Sequence, residues 1–124
     1  MRKIDKTSIM TTLSYTTVDG SAIRELMHPD QHGNKNQSLA EATIKAGCST
    51  RLHMHHVTEE LYHITQGKGE MTLGENEFCV NVGDTVCIQP GVSHKIRNTG
   101  KSELKILCCC SPHYAHTDIE LIDS

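Results

Sequence analysis

Between Ser38 and Ser111 short apolar runs alternate with glycine, proline or polar breaks. The segments are SLAEATIKAG, CSTRLHMHHV, EELYHITQG, GEMTLG, NEFCVNVG, DTVCIQP, SHKIRNTG and ELKILCCCSP. Each is rich in Val, Ile, Leu, Thr or Cys. Turn signals about every 8–12 residues predict an all-β sandwich or barrel. No segment carries an i, i+3, i+4, i+7 apolar stripe. SLAEATIKAG contains good helix formers, yet propensity is a weak prior and the segment is expected to be a strand. Upstream, VDGSAIRELMHP predicts a turn at Asp19-Gly20 and a strand-like run that Pro29 ends. The stretch DQHGNKNQ that follows is a polar loop. Residues 1–17 are expected to be a polar arm carrying a short strand at most. Residues 112–124 are expected to be an acidic tail wrapped over the outside.

A length of 124 residues predicts one domain spanning the chain, burying about two thirds of its unfolded surface. A formal net charge of −3 supplies no basic field, which argues against nucleic acid as a partner. No apolar run approaches the roughly 18 residues of a membrane span, and no signal-peptide pattern follows Met1. The expectation is a cytosolic protein with no membrane partner. Six cysteines raise the question of disulfides. Cys108, Cys109 and Cys110 are adjacent, however, and neighbours on a strand point to opposite faces. Cys48, Cys79 and Cys87 sit singly, and no CxxC is present. Reduced thiols acting as small buried hydrophobes are expected.

The chemistry-bearing stretch is GCSTRLHMHHVTEELYHITQG, Gly47 to Gly67. On a strand, residues 51, 53 and 55 share a face, so His53 and His55 can reach one ion. Glu60 follows the polar turn His56-Val57-Thr58-Glu59, on what reads as the next strand of a hairpin. A second stretch, GDTVCIQPGVSHKIRN, supplies His94 behind its own turn. Three imidazoles and one carboxylate form a ligand set for a divalent transition metal. Scattered histidines usually lie on polar surfaces, but that does not account for two on one face and a third behind its own turn. By the same parity His56 and His63 point away, and His28, His32, His113 and His116 fall in loops and tails as solvated residues.

These stretches resemble the cupin superfamily in its small, single-domain microbial form. Gly47, His53, His55, Glu60 and Gly67 stand at the spacing of the first cupin motif. Gly83, Gly91, His94 and Asn98 match the second, with Gln89 where a proline is usual and Pro90 after it. The departure lies in a turn and leaves the ligands untouched. The resemblance implies a double-stranded β-helix, or jelly-roll barrel, with His53, His55, Glu60 and His94 holding one divalent metal. Cupins use several ions at this place; manganese or iron is favoured here, with nickel or zinc behind. Four protein ligands in an octahedral arrangement leave two positions for water, substrate or dioxygen.

Around the ion, Arg51 shares the parity of His53 and is a candidate anchor for an anionic substrate. Tyr62 shares the face of Glu60 and either donates to substrate or fills the core. Cys108 and Cys110 share a face with Leu104 and Ile106, which makes Cys108 a candidate wall residue. Asn98 is expected to fix a turn or strand end. Aromatic residues make up 3% of the chain, which suits a small, oxygen-rich ligand better than a large ring system. No catalytic residue is assigned. The leading expectation is a metalloenzyme acting on a carboxylate, enediol or sugar-like molecule, as a dioxygenase or an oxalate-decarboxylase-like enzyme. The alternatives are a Lewis-acid isomerase, epimerase or lyase of the mannose-6-phosphate-isomerase-like kind, and a non-enzymatic binding or sensor module. The resemblance also implies a homodimer.

Overall fold

Alternation of inward and outward side chains governs this chain. In the computed structural model, which describes residues 5–122, strand Glu59–Gln66 runs exposed, buried, exposed, buried through Ile64. Residues 1–4 of the expected arm and 123–124 of the expected tail lie outside the described residues. The strands are β1 (Ser14–Thr16), β2 (Ala22–Met27), β3 (Ser38–Ile44), β4 (His53–His55), β5 (Glu59–Gln66) and β6 (Lys68–Leu73). They continue with β7 (Asn76–Asn81), β8 (Thr85–Ile88), β9 (His94–Asn98), β10 (Leu104–Ser111) and β11 (Ile119–Leu121). Two short 3₁₀ turns, Ile9–Thr11 and His116–Asp118, are the helical elements among the described residues, and neither is long enough to cross a membrane.

The strands form two antiparallel sheets that face each other as a rolled barrel. One has the order β1-β2-β3-β10-β5-β8 and the other β11-β4-β9-β6-β7. The chain crosses between sheets at Gly67, whose φ is +82°. A Cβ there would also fall 2.9 Å from the Glu103 carbonyl oxygen, so the crossing requires glycine twice over. Ser38–Ile44 of SLAEATIKAG is a strand and not a helix, paired along both edges with β2 and β10.

Register sorts the inward residues into rows across the first sheet. Ile44 stands opposite Leu104, and Ala42 opposite Ile106, which in turn stands opposite Ile64. Next come Ala40, Cys108 and Tyr62, then Ser38, Cys110 and Glu60. One end of the barrel is therefore closed by Ile44, Ile64, Leu104 and Ile106, packed with Met71, Val80 and Ile96 from other strands. The other end carries small or polar side chains.

Several expectations are corrected. β4 and β5 are not a hairpin; they belong to opposite sheets, and residues 56–58 carry the chain between them. The tail does not merely wrap the outside. It returns as β11, pairing Ile119 with His55 and Leu121 with His53. His28 is buried, not solvated: its Nε2–H donates to the Tyr114 carbonyl at 2.7 Å and its Nδ1 accepts from the Asp30 amide. Cys48, Cys79 and Cys87 are exposed, because they occupy outward strand positions or a turn; Cys108 and Cys110 are buried. All six thiols are free.

Candidate metal centre

The site begins with strand pairing. His53 on β4 stands directly opposite His94 on β9. His55 follows two residues later on the same inward face. The turn before β9 is tied to this strand by Gly91, whose amide donates to the His55 carbonyl at 2.7 Å with φ at +82°. Glu60 approaches from the opposite sheet because the chain changes sheets before β5. Had β4 and β5 formed a flat hairpin, the carboxylate would have lain beside the imidazoles and not across from them.

All four side chains are buried, His94 completely. One ring nitrogen from each histidine lies within 4.8 Å of the others. The Nδ1–H of His53 donates to the Arg51 carbonyl at 2.6 Å, and that of His94 to the Val92 carbonyl at 3.1 Å. A carbonyl can only accept, so in the neutral form of either ring Nε2 carries the lone pair. Glu60 Oε1 lies 3.3 Å from His55 Nε2 and 3.6 Å from His94 Nε2. Glu60 Oε1 and His94 Nε2 are nevertheless buried without a well-formed hydrogen bond. Buried polar atoms without partners are rare in native proteins and call for a reason. Borderline nitrogen and hard oxygen donors, oriented by hydrogen bonds behind them, are what a divalent ion of the manganese-to-zinc series requires. The donor set fits such an ion.

Electrostatics point the same way. Burial opposes charge on Glu60, yet the adjacent rings of His55 and His94 overcome it and pull the carboxyl down to about 2. Burial, with the neighbouring His94, lowers the pKa of His53 and keeps that ring neutral. Burial works against protonation of His55 too, but Glu60 outweighs it and raises that pKa. Burial pushes the thiols of Cys108 and Cys110 well up, so both stay protonated. Cys110 Sγ–H donates to Glu60 Oε2 at 3.4 Å and holds the carboxylate from behind.

The centre opens into a cavity with about 550 Å³ of atom-free space, its mouth included. Tyr62 and Cys108 line it, and Tyr62 also packs in the core with its ring centroid 6.0 Å from that of His94. Arg51 does not line it. Regular strand structure starts only at His53, so alternation does not extend back to residue 51, and Arg51 is exposed. His56 and His63 are exposed, paired with Glu120 and Thr85. Asn98 spans a strand end, donating to the Ile44 and Ser102 carbonyls and accepting from the Gly100 amide.

Four titratable wall residues escaped the sequence reading: Asp19, Glu25, Tyr15 and Tyr114. Strand parity held the signal for Glu25, which shares the face of Ile23. Asp19 looked like an ordinary turn residue, and nothing local reveals that the tail brings Tyr114 back. Asp118, also from the tail, accepts from the Val57 and Thr58 amides at 2.9 and 3.1 Å. It braces the crossing turn, and its Oδ2 lies 4.0 Å from His55 Nδ1, which is itself buried without a hydrogen-bond partner.

The sequence model of the cupin domain family matches residues 40–110 of this chain, more than half its length. The chain belongs to the cupin family. This cupin is 48% identical to an uncharacterized protein of Methanocaldococcus jannaschii over 98% of its own length and 97% of the relative's. It is 32% identical to an oxalate-binding protein of Thermotoga maritima, over 68% of this chain and 65% of that one. Its fold matches that of the polyketide cyclase RemF from Streptomyces resistomycificus with a TM-score of 0.83, at 14% identity, over 98% of this chain and 87% of the other. The cupin's barrel is thus the double-stranded β-helix, and its histidine triad suggests a divalent metal.

Proposed function

We propose that this cupin is a metal-dependent enzyme acting on a small oxygen-rich molecule that carries a carboxylate, enediol or sugar-like group. The observation that carries the reading is the convergence of three buried imidazoles on one point, with Glu60 Oε1 at 3.3 and 3.6 Å from two of them and with Glu60 Oε1 and His94 Nε2 lacking good partners. His53, His55, His94 and Glu60 would hold the ion, with manganese or iron favoured and nickel or zinc behind. When bound, such an ion supplies Lewis acidity and, for manganese or iron, one-electron redox chemistry.

The chain's own groups do the rest. Backbone carbonyls behind His53 and His94 fix the tautomers, and Cys110 steadies Glu60. Tyr62, held protonated by burial and by the charge of Glu60, is a hydrogen-bond donor at the wall. Ala40, Ala42, Ile23 and Ile106 exclude water from the substrate's flank. A dioxygenase or oxalate-decarboxylase-like reaction is the leading chemistry, supported by the identity to an oxalate-binding protein. A Lewis-acid isomerase, epimerase or lyase is the second reading. It is favoured by Asp19 and Glu25 in the same cavity, which supply acid–base groups beyond the ligand set.

The test is elemental analysis of protein reconstituted with manganese, iron, nickel or zinc, followed by oxygen uptake and product detection with oxalate, 2-oxo acids and enediols. Stoichiometric metal with oxygen uptake or carbon dioxide release supports the leading reading. Isomerised or eliminated product without oxygen uptake supports the second. Retained metal with no turnover of any compound leaves a binding module, and absence of retained metal defeats the proposal. A cytosolic homodimer belongs to the same proposal, supported by exposed Met10 and Leu13 beside the first strand; a monomer by light scattering at micromolar concentration removes the dimer.

A further inference from the structure

The cavity has a second polar pole that the metal reading does not use. Glu25 lies on β2, opposite Ala40 on β3. Ala40 stands opposite Cys108, and Cys108 opposite Tyr62. Glu25 thus sits three strand spacings from β5, the strand of Glu60, which is on the order of 14 Å along the sheet. Small side chains, Ala40 and Cys108, occupy the interval, so the row is open where bulky residues would have filled it. Glu25 lines this cavity and is 7% exposed. Its Oε2 accepts a long hydrogen bond of 3.4 Å from the Tyr15 hydroxyl, and its Oε1 is buried without a partner. Burying a carboxylate oxygen unpaired is costly, and apolar residues would fill the space more stably.

The surroundings say what partner this oxygen suits. Asp19, Glu25 and Glu60 all line the cavity, and neither lysine nor arginine is among its lining residues. Nothing on the wall neutralises an anionic group distant from the metal. A hydrogen-bond donor there meets an acceptor already desolvated at the cavity wall.

We infer that Glu25 determines specificity by receiving a hydrogen-bond-donating terminus, a hydroxyl or an ammonium, of a substrate whose other end is held at the metal. This rests on the proposed metal-binding reading and narrows its substrate class, among molecules long enough to reach from the metal to Glu25, to those whose far end is not a carboxylate.

The probes are four six-carbon hydroxamic acids that share one chelating head and end in methyl, hydroxyl, ammonium or carboxylate. Binding is measured by calorimetry at pH 8 on metal-loaded and metal-free protein, alongside elemental analysis. The hydroxyl- and ammonium-ended probes are expected to bind about tenfold tighter than the methyl-ended one, and the carboxylate-ended probe about tenfold weaker. Glu25→Gln is expected to retain full metal content, abolish the ammonium preference and shrink the carboxylate penalty. Glu25→Asp, which keeps the charge, is expected to restore most of the ranking. Equal binding of the four probes overturns the inference, as does a carboxylate-ended probe that binds tightest. Binding by none of them to either form, or an unchanged ranking in Glu25→Gln, also overturns it. Failure to take up metal defeats the metal reading instead, and the ranking on metal-free protein then decides the role of Glu25 separately.

Discussion

The two ends of the barrel are built by the same strands on opposite principles. At one end β3, β10 and β5 turn Ile44, Leu104 and Ile64 inward; at the other they turn in Ser38, Cys110 and Glu60. Apart from a register shift against β5 between Lys105 and Ile106, nothing in the backbone changes between these rows, since parity and the pairing of β10 with β3 continue from one to the next. The difference is side-chain volume and polarity alone. Large aliphatic residues close one end and stabilise the barrel. Serine, alanine and cysteine leave room at the other, and the carboxylates and imidazoles placed around that room carry desolvation costs that the packed end offsets. Stability and chemistry are separated along the strand axis.

The sharpest way to break that contrast is to remove a ligand at the open end. His53→Ala or His94→Ala is expected to weaken metal retention by about a thousandfold, roughly 4 kcal/mol, without unfolding the protein. His63→Ala, on the outward face, should retain the metal in full. Unchanged metal content in the first two variants, by elemental analysis, would break the assignment.

Next in size comes the packed end. Leu104→Ala is expected to cost about 3 kcal/mol in denaturant unfolding, within the range for a fully buried leucine. Cys108→Ala, two rows away beside the cavity, should cost about 1 kcal/mol. Equal costs would mean that the cavity wall is as tightly packed as the core.

Smaller again is the brace from the tail. Asp118→Ala leaves the Val57 and Thr58 amides and the His55 ring without their carboxylate. Metal affinity is expected to fall about tenfold, as for other groups that orient a ligand. An affinity identical to wild type by competition with a chelator would show the tail to be structurally passive.

The smallest effect concerns pH. Burial raises the Glu25 carboxyl above its ordinary value, with His28 and Tyr15 opposing in part. The folded state therefore holds this proton more tightly than the unfolded one. Stability attached to it is present below about pH 4.5 and is lost as pH rises through the folded-state pKa. Glu25→Gln, which cannot ionise, should accordingly gain a few degrees in Tm relative to wild type at pH 7 compared with pH 4, by calorimetry. A Tm difference that does not vary with pH would mean that Glu25 is not held desolvated.

Much of this was legible in the chain. Turn cadence announced an all-β fold, and SLAEATIKAG took its strand against its own helix propensity, because pairing along both edges outweighs a few tenths of a kcal/mol per residue. Parity separated His53, His55 and Glu60 from His56, Glu59 and His63, since alternation is a property of the strand itself. Parity failed at Arg51 for a definite reason: extended structure had not yet begun there, and a rule about strands says nothing about the residues before one. Residue type, not parity, misplaced Cys48, Cys79 and Cys87, suggesting burial where position dictated exposure.

Local spacing, then, settled which side chains share a face, because the two-residue repeat of a strand is written into every peptide unit. It could not settle which sheet a strand joins. Only long-range pairing put β4 and β5 on opposite walls, brought Asp118 and Tyr114 back from the tail and set the unremarked Glu25 and Asp19 in the wall of the same cavity. Those contacts link residues up to about a hundred positions apart, and their energies depend on shape and desolvation in the closed barrel. No window of neighbouring residues contains them.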